Sequence, residues 1–205
     1  MPLKSALRYL IASQVVFFGL LAICIDWAPQ SLTNNRGMSY FGYHWPALIP
    51  FMGALLMGPY CLSQAATRLR DMGPPLPSVA QALKAIAILT PLVLLTPSDD
   101  LGLVHDLHVT VSAIVFMVEF GLSTTLLLAC IGNWLERLAW SLQLLAGLVA
   151  LLSLWGILRV MLPSELVLQL MFSLVLNRTL PKIEGARLRL PPAEPVLVRK
   201  TDGHG

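Results

Sequence analysis

The sequence predicts an all-α integral membrane protein, a polytopic bundle of six transmembrane helices. Of the 205 residues, 56% are hydrophobic and only 12% are charged, whereas roughly a quarter of the residues of a soluble domain are charged. The hydrophobic residues form long blocks, which short segments rich in proline, glycine or charge separate. Blocks of this length match helices that cross a bilayer. We therefore expect one membrane domain and no separate soluble domain.

Six hydrophobic segments are predicted to span the membrane. Their approximate ranges are 7–26, 47–66, 79–95, 104–130, 138–162 and 163–177. The sixth segment is shorter than the roughly 17 to 25 residues of a usual span, so five spans and one interfacial helix are the alternative. Residues 179–205 contain four prolines and mixed charge, which predicts a disordered cytoplasmic tail.

Basic residues are distributed unequally between the two ends of the predicted helices. Eleven of the 14 lysines and arginines fall at one end or in the tail, while the opposite end is acidic. The positive-inside rule therefore places both termini in the cytoplasm. We expect the membrane to be a plasma membrane of the bacterial type. The basic residues form no dense patch with interleaved aromatic residues, so we expect no nucleic acid partner.

Glu119 falls near the middle of the fourth span, where a carboxylate must be protonated, hydrated or paired. Counting residues along the antiparallel third and fourth spans places Lys84 at a similar depth. We therefore predict an intramembrane pair of Lys84 and Glu119. In the alternative, Lys84 extends to the cytoplasmic surface while protonated Glu119 bonds to Gln14, Gln143 or Ser123.

Two histidines, His105 and His108, lie at the predicted outer start of the fourth span. Their i, i+3 spacing places both rings on one helix face, and Glu119, eleven residues after His108, falls on nearly the same side. Ser39 and His44 of the first outer loop are expected to join them. The two histidines, Ser39 and His44 are therefore the candidates for an outward-facing polar ligand pocket.

Asp106 lies between the two histidines, and Asp99 and Asp100 precede them. A group of this kind suits a zinc ion that activates water to hydrolyse a lipid headgroup. However, His105 and His108 lack a third ligand at a recognisable zinc spacing, and a polar helix start explains the same residues. We therefore predict no cofactor, with zinc as the alternative.

The layout of the chain is similar to that of a known family. The first outer loop contains the stretch Gly37–Gly42, GMSYFG, and a later span contains His108–Ala113, HVTVSA. In a six-span chain, these motifs resemble the Frag/DRAM/Sfk membrane family and a neighbouring bacterial six-span family of uncharacterised function. The resemblance implies a six-helix bundle with a role in lipid or sterol handling or in membrane signalling. It directs attention to Ser39, Gly42 and His108.

Three functions fit these residues. The first is a non-enzymatic bundle that binds membrane lipid or a membrane partner. Such a partner could be another subunit of a larger complex. The second is a metal-dependent membrane hydrolase in which His105, His108 and an aspartate converge. The third is a small proton-coupled transporter that uses Glu119. The sequence contains no hydrolase elbow, phosphate-binding loop or dinucleotide motif, so an enzyme is the less favoured class.

Overall fold

A computed structural model describes residues 2–33, 36–95, 102–130 and 133–189. These residues form six long α-helices: α1 (Pro2–Trp27), α2 (Leu48–Arg70), α3 (Leu76–Leu95), α4 (Leu103–Ala129), α5 (Trp134–Leu154) and α6 (Met161–Arg189). Each helix contains a segment long and apolar enough to cross a membrane. The prediction of an all-α bundle with six membrane-spanning helices is confirmed.

The outside of the bundle is apolar along its length. Large side chains such as Ile11, Leu56 and Leu145 are exposed on the helix surfaces. Lipid solvates such side chains more favourably than water does. Trp27 and Trp155 are exposed where α1 and α5 end, the level at which tryptophan favours the membrane–water interface. The surface is therefore that expected of an integral multi-pass membrane protein.

The helices form a ring. Helix α1 contacts α2, α2 contacts α3, and α5 contacts α6. Helix α4 contacts both α3 and α6. Because α1 also contacts α6, the ring is closed. One buried cluster contains residues from the start of α1, the end of α2, the start of α3 and the ends of α4 and α6. Both ends of the described chain therefore lie at the same face of the bundle.

Helix α5 ends earlier than predicted. Gly156 follows its last turn with a φ of +75°, and its N–H donates to the carbonyl of Ser153 at 3.0 Å. Glycine adopts this left-handed conformation at no steric cost and commonly terminates helices. The predicted fifth span, about 138–162, was therefore too long at its outer end, and α6 begins at Met161.

Helix α6 is much longer than predicted. It has 29 residues, so residues 179–189 are helical and not part of a disordered tail. Leu180 and Ile183 are buried in the bundle, and Arg178 and Lys182 both pair with Glu136. These contacts extend the helix beyond the charged residues that were expected to end the span. The rest of the predicted tail, residues 190–205, lies outside the described residues.

Buried apolar side chains form two clusters at different depths. The larger cluster fills the half of the bundle that carries the basic helix ends, and it includes Leu10, Leu76 and Leu180. The smaller cluster surrounds Phe41 and Leu162 at the opposite, outer end. The larger cluster therefore lies in the half that is predicted to be cytoplasmic.

Candidate functional site

A large cavity of about 800 Å³ lies inside the bundle, and residues of all six helices line it. We refer to it as the central cavity. Arg36, Met38 and Ser39 of the loop between α1 and α2 border its outer end, and its wall extends to Glu119 on α4 and Gln169 on α6. Its volume is within the range of about 300 to 1,000 Å³ that is typical of small-molecule sites. The central cavity is therefore the candidate functional site.

The 3-10 helix Gly37–Gly42 is attached to α6 at the edge of the cavity. The N–H of Met38 donates to Oε2 of Glu165 at 2.6 Å. A Cβ on Gly37 would lie 2.6 Å from the same oxygen, and Gly37 has a φ of +62°. Glycine is required here both by the backbone conformation and by the close carboxylate.

Glu119 and Gln169 form a buried polar pair between α4 and α6. Nε2 of Gln169 donates to both carboxylate oxygens of Glu119, at 3.0 and 2.8 Å. Only 2% of Glu119 is exposed, and none of the ion pairs found among the described residues includes it. The cavity wall therefore carries a carboxylate at mid-span with an amide, and not a cation, as its bonding partner.

The predicted ion pair of Lys84 with Glu119 is not formed. The side chain of Lys84 is exposed on α3, and Glu119 bonds to Gln169. Counting residues along two helices compares their depths, but it does not determine which way each helix face points. The exposed position of Lys84 agrees with the alternative in which its long side chain extends to the cytoplasmic surface.

Gln143 of α5 also lines the central cavity. Neither atom of its amide has a hydrogen-bond partner, and the residue is 1% exposed. Nε1 of Trp140 donates to Oγ1 of Thr124 at 2.9 Å, which fixes the register of α5 against the antiparallel α4. With a rise of about 1.5 Å per residue, Gln143 then lies within roughly one helical turn of the depth of Glu119.

Three of the four residues predicted to form an outward-facing pocket line the central cavity. They are Ser39, His105 and His108. His108 and Glu119 share this wall, as their spacing on one helix predicts. A role of these residues in ligand binding stays a prediction.

The fourth predicted pocket residue, His44, does not line the central cavity. Its Nδ1 lies 3.3 Å from the hydroxyl oxygen of Tyr40, and its Nε2 lies 3.3 Å from Nε2 of Gln30. The rings of His44 and Tyr40 stack with their centroids 5.2 Å apart. His44 therefore belongs to a polar cluster of the outer loop.

The weak metal candidates His105, His108 and Asp106 are not brought together as a ligand set. In the parts of the chain that the structure describes, no three His, Cys, Asp or Glu side chains are grouped so that they would hold a metal ion. Asp106 is exposed, while both histidines line the cavity. The other two candidates, Asp99 and Asp100, lie outside the described residues.

Sequence reasoning missed the contribution of α6 to this site. Neither Gln169 nor Glu165 was among the residues predicted to form a site. Glu165, Gln169, Phe172 and Leu176 line the cavity at intervals of three or four residues. This is the spacing of one helix face, and it is visible in the sequence once the segment is treated as a full span.

Comparison of the chain with models of known protein families, with curated proteins and with solved structures finds no match. The resemblance to the Frag/DRAM/Sfk family or its bacterial neighbour therefore stays a prediction. The chemistry of the central cavity is the basis on which a function can be proposed.

Proposed function

We propose that the protein binds a lipid-like amphiphile in its central cavity, in a bacterial-type plasma membrane with the basic helix ends in the cytoplasm. The observation that carries this proposal is the amide of Gln143, which is buried at the wall of an 800 Å³ cavity without a hydrogen-bond partner. Leaving a buried polar group unsatisfied costs about 1 to 3 kcal/mol. A ligand with a polar group near Gln143 would recover that cost.

The distribution of polar groups supports an amphiphile. Glu119, Gln143 and Gln169 are near one another in depth, and Arg36 and Glu165 lie at the outer end. Between and around them the wall is mainly aliphatic and aromatic. Sites for small molecules combine an apolar lining with a few polar groups that fix orientation. An apolar ligand body would contact the lining, and its polar group would bond near Gln143.

The packing of the cytoplasmic half supports a binding site that opens outward. The larger apolar cluster, which includes Leu10, Leu76 and Leu180, lies between the cavity and the basic helix ends. A ligand in the cavity would therefore be separated from the cytoplasm by close-packed side chains. This arrangement fits reception of a ligand from the outer side or the outer leaflet.

The proposal is tested by measuring bound ligand in the full chain, purified in a mild detergent, by native mass spectrometry and by lipid extraction. We expect the wild type to retain an amphiphile and Gln143→Leu to retain roughly tenfold less, the change that corresponds to about 1.4 kcal/mol. Gln81→Leu makes the same chemical change at an exposed position of α3 outside the cavity, and it should retain the wild-type amount. Equal retention by Gln143→Leu, with an unchanged unfolding midpoint, would show that the polar group does not bond to Gln143, and a wild type that retains no amphiphile would overturn the proposal.

A second candidate function is proton-coupled transport. It is favoured by the position of Glu119, a buried carboxylate on the cavity wall that makes no ion pair within the described part of the chain. Intramembrane carboxylates often serve as proton carriers. Proteoliposomes that contain a trapped pH-sensitive dye distinguish the two functions. Proton movement on addition of the extracted amphiphile, lost in Glu119→Gln, would support transport, and its absence would support binding alone.

A further inference from the structure

Phenylalanine is concentrated on the wall of the central cavity. Six of the seven phenylalanines in the chain line it: Phe17, Phe18, Phe51, Phe116, Phe120 and Phe172. They come from α1, α2, α4 and α6, so aromatic rings lie on several sides of the space. The face of an aromatic ring carries negative potential and attracts cations within about 6 Å of its centre.

The charges on the same wall favour a positive ligand. Glu119 and Glu165 both line the cavity and are 2% and 7% exposed. No lysine is among the described residues that line it, and the basic residues there, Arg36, His105 and His108, lie toward the outer end. At the depth of Glu119 the described wall therefore presents an acid and no basic side chain.

Two phenylalanines lie close to Glu119 in the sequence of α4. Phe116 lies three residues before Glu119 and Phe120 one residue after it, and all three line the cavity. Gln169 holds the carboxylate through both oxygens, which fixes the orientation of the acid. Phe172, three residues after Gln169, lines the cavity from α6.

We propose that the ligand of the central cavity is a lipophilic cation, an apolar body that carries an ammonium or phosphonium type of charge. The charge would lie beside Glu119, and the apolar body would lie against the phenylalanines. A carboxylate at mid-span is stabilised by an opposite charge, and the ring faces add cation–π attraction. This inference rests on the proposed function, because it assigns the charge of the ligand that the cavity binds.

The test compares two ions of the same shape and opposite charge, tetraphenylphosphonium and tetraphenylborate. Equilibrium dialysis measures their binding to the detergent-solubilised full chain, with protein-free micelles as the blank. We expect saturable binding of tetraphenylphosphonium, and binding of tetraphenylborate that does not exceed the blank. Glu119→Gln should weaken tetraphenylphosphonium binding by roughly tenfold or more. Glu184→Gln, outside the cavity wall, is the matched control and should bind as the wild type does.

Two results would overturn the assignment of charge. One is equal binding of the two ions, and the other is undiminished tetraphenylphosphonium binding by a Glu119→Gln protein whose unfolding midpoint matches the wild type. Neither result affects the retention of amphiphile by the wild type and Gln143→Leu, so the proposed function is judged separately. Conversely, if Gln143→Leu retains its amphiphile while tetraphenylphosphonium binding depends on Glu119, the cation site stands and the proposed position of the polar group fails.

The same assay identifies the source of the cation. Short-chain phosphatidylcholine carries a quaternary ammonium group, whereas short-chain phosphatidylglycerol carries none. Displacement of tetraphenylphosphonium by the former alone supports a lipid headgroup as the cation. Retention in the presence of both lipids supports a free lipophilic cation. Displacement by both lipids to the same extent contradicts recognition of the positive charge.

Discussion

The carboxylate of Glu165 lies so close to Gly37 that a Cβ on Gly37 would be 2.6 Å from one of its oxygens. This contact joins the outer loop to α6 at the edge of the central cavity. Replacing Gly37 with alanine places a methyl group against the carboxylate and also imposes a left-handed conformation that costs about 1 to 2 kcal/mol. We expect Gly37→Ala to release the hydrogen bond of the Met38 N–H, which hydrogen exchange of that amide measures as lost protection.

Gly42→Ala is the control for this prediction. Gly42 belongs to the same 3-10 helix, but the nearest atom to its added Cβ would be 3.8 Å away, on Phe51. That distance is an ordinary van der Waals contact, so Gly42→Ala should keep the protection of the Met38 amide. Equal loss of protection in both variants would show that the contact with Glu165 does not hold the loop.

The pair of Glu119 and Gln169 is expected to stabilise the packing of α4 on α6. Gln169→Leu removes the donor of both hydrogen bonds. The buried carboxylate of Glu119 then lacks this donor. The expected cost is about 1 to 3 kcal/mol, which lowers the unfolding midpoint in micelles. The double variant Glu119→Leu/Gln169→Leu removes both partners and should recover part of this loss. The pairing would be contradicted if the double variant lost more stability than the single variants Glu119→Leu and Gln169→Leu lose together.

Glu136, at the start of α5, forms ion pairs with two basic residues of α6. Its Oε1 accepts from Nε of Arg178 at 2.9 Å and from Nζ of Lys182 at 2.7 Å. Because both cations are partly exposed to solvent, we expect Glu136→Ala to cost about 1 to 2 kcal/mol in unfolding free energy. Glu184→Ala, which removes an acid of α6 that makes no ion pair in the described ranges, should change stability little. Equal effects of the two changes would argue against this ion pair.

Cys130 follows α4 and is expected to react slowly with alkylating reagents. Burial raises the pKa of its thiol above the ordinary value, and its Sγ lies 3.6 Å from the carbonyl oxygen of Thr179. A raised pKa means that less of the reactive thiolate is present at a given pH. In a Cys24→Ser/Cys61→Ser background, iodoacetamide at about pH 8 should therefore label the folded protein roughly tenfold more slowly than the unfolded protein. Equal rates would contradict the burial of Cys130.

Both termini are expected in the cytoplasm, because the basic helix ends are there by the positive-inside rule. A fluorescent protein that folds only in the cytoplasm, fused after the last residue, should fluoresce. Alkaline phosphatase, which is active only outside the cytoplasm, should be inactive at the same position. The opposite pair of results would invert the orientation, and with it the side from which the central cavity is proposed to receive its ligand.

The number and class of the helices follow from the sequence because lipid requires long apolar segments with internal backbone hydrogen bonds. The end of α3 at Leu95 was predicted, since polar residues follow it. The end of α6 was not, because Arg178, Pro181 and Lys182 are typical of a span boundary. The helix continues there because Glu136, on another helix, pairs with the two basic residues. A tertiary contact therefore overrides the local pattern.

The site was predictable within one helix and not between helices. The spacing of His105, His108 and Glu119 determines that they share a face of α4, and all three line the central cavity. The prediction that Lys84 pairs with Glu119 was wrong because it depends on how α3 is rotated about its own axis. The rotation of a helix depends on packing with its neighbours, and residue counts along the chain do not report it.

The close-packed side chains near the basic helix ends and the wall of the central cavity should differ in their tolerance to mutation. Substitutions around Leu76 and Leu180 act on close-packed side chains, where a change of a single methylene affects folding. Substitutions around Ser112 and Gly147 act on the wall of a space, where a longer side chain has room to extend. The cluster near the basic helix ends therefore stabilises the scaffold, while the cavity wall leaves room for substitutions that would change which ligand the protein prefers.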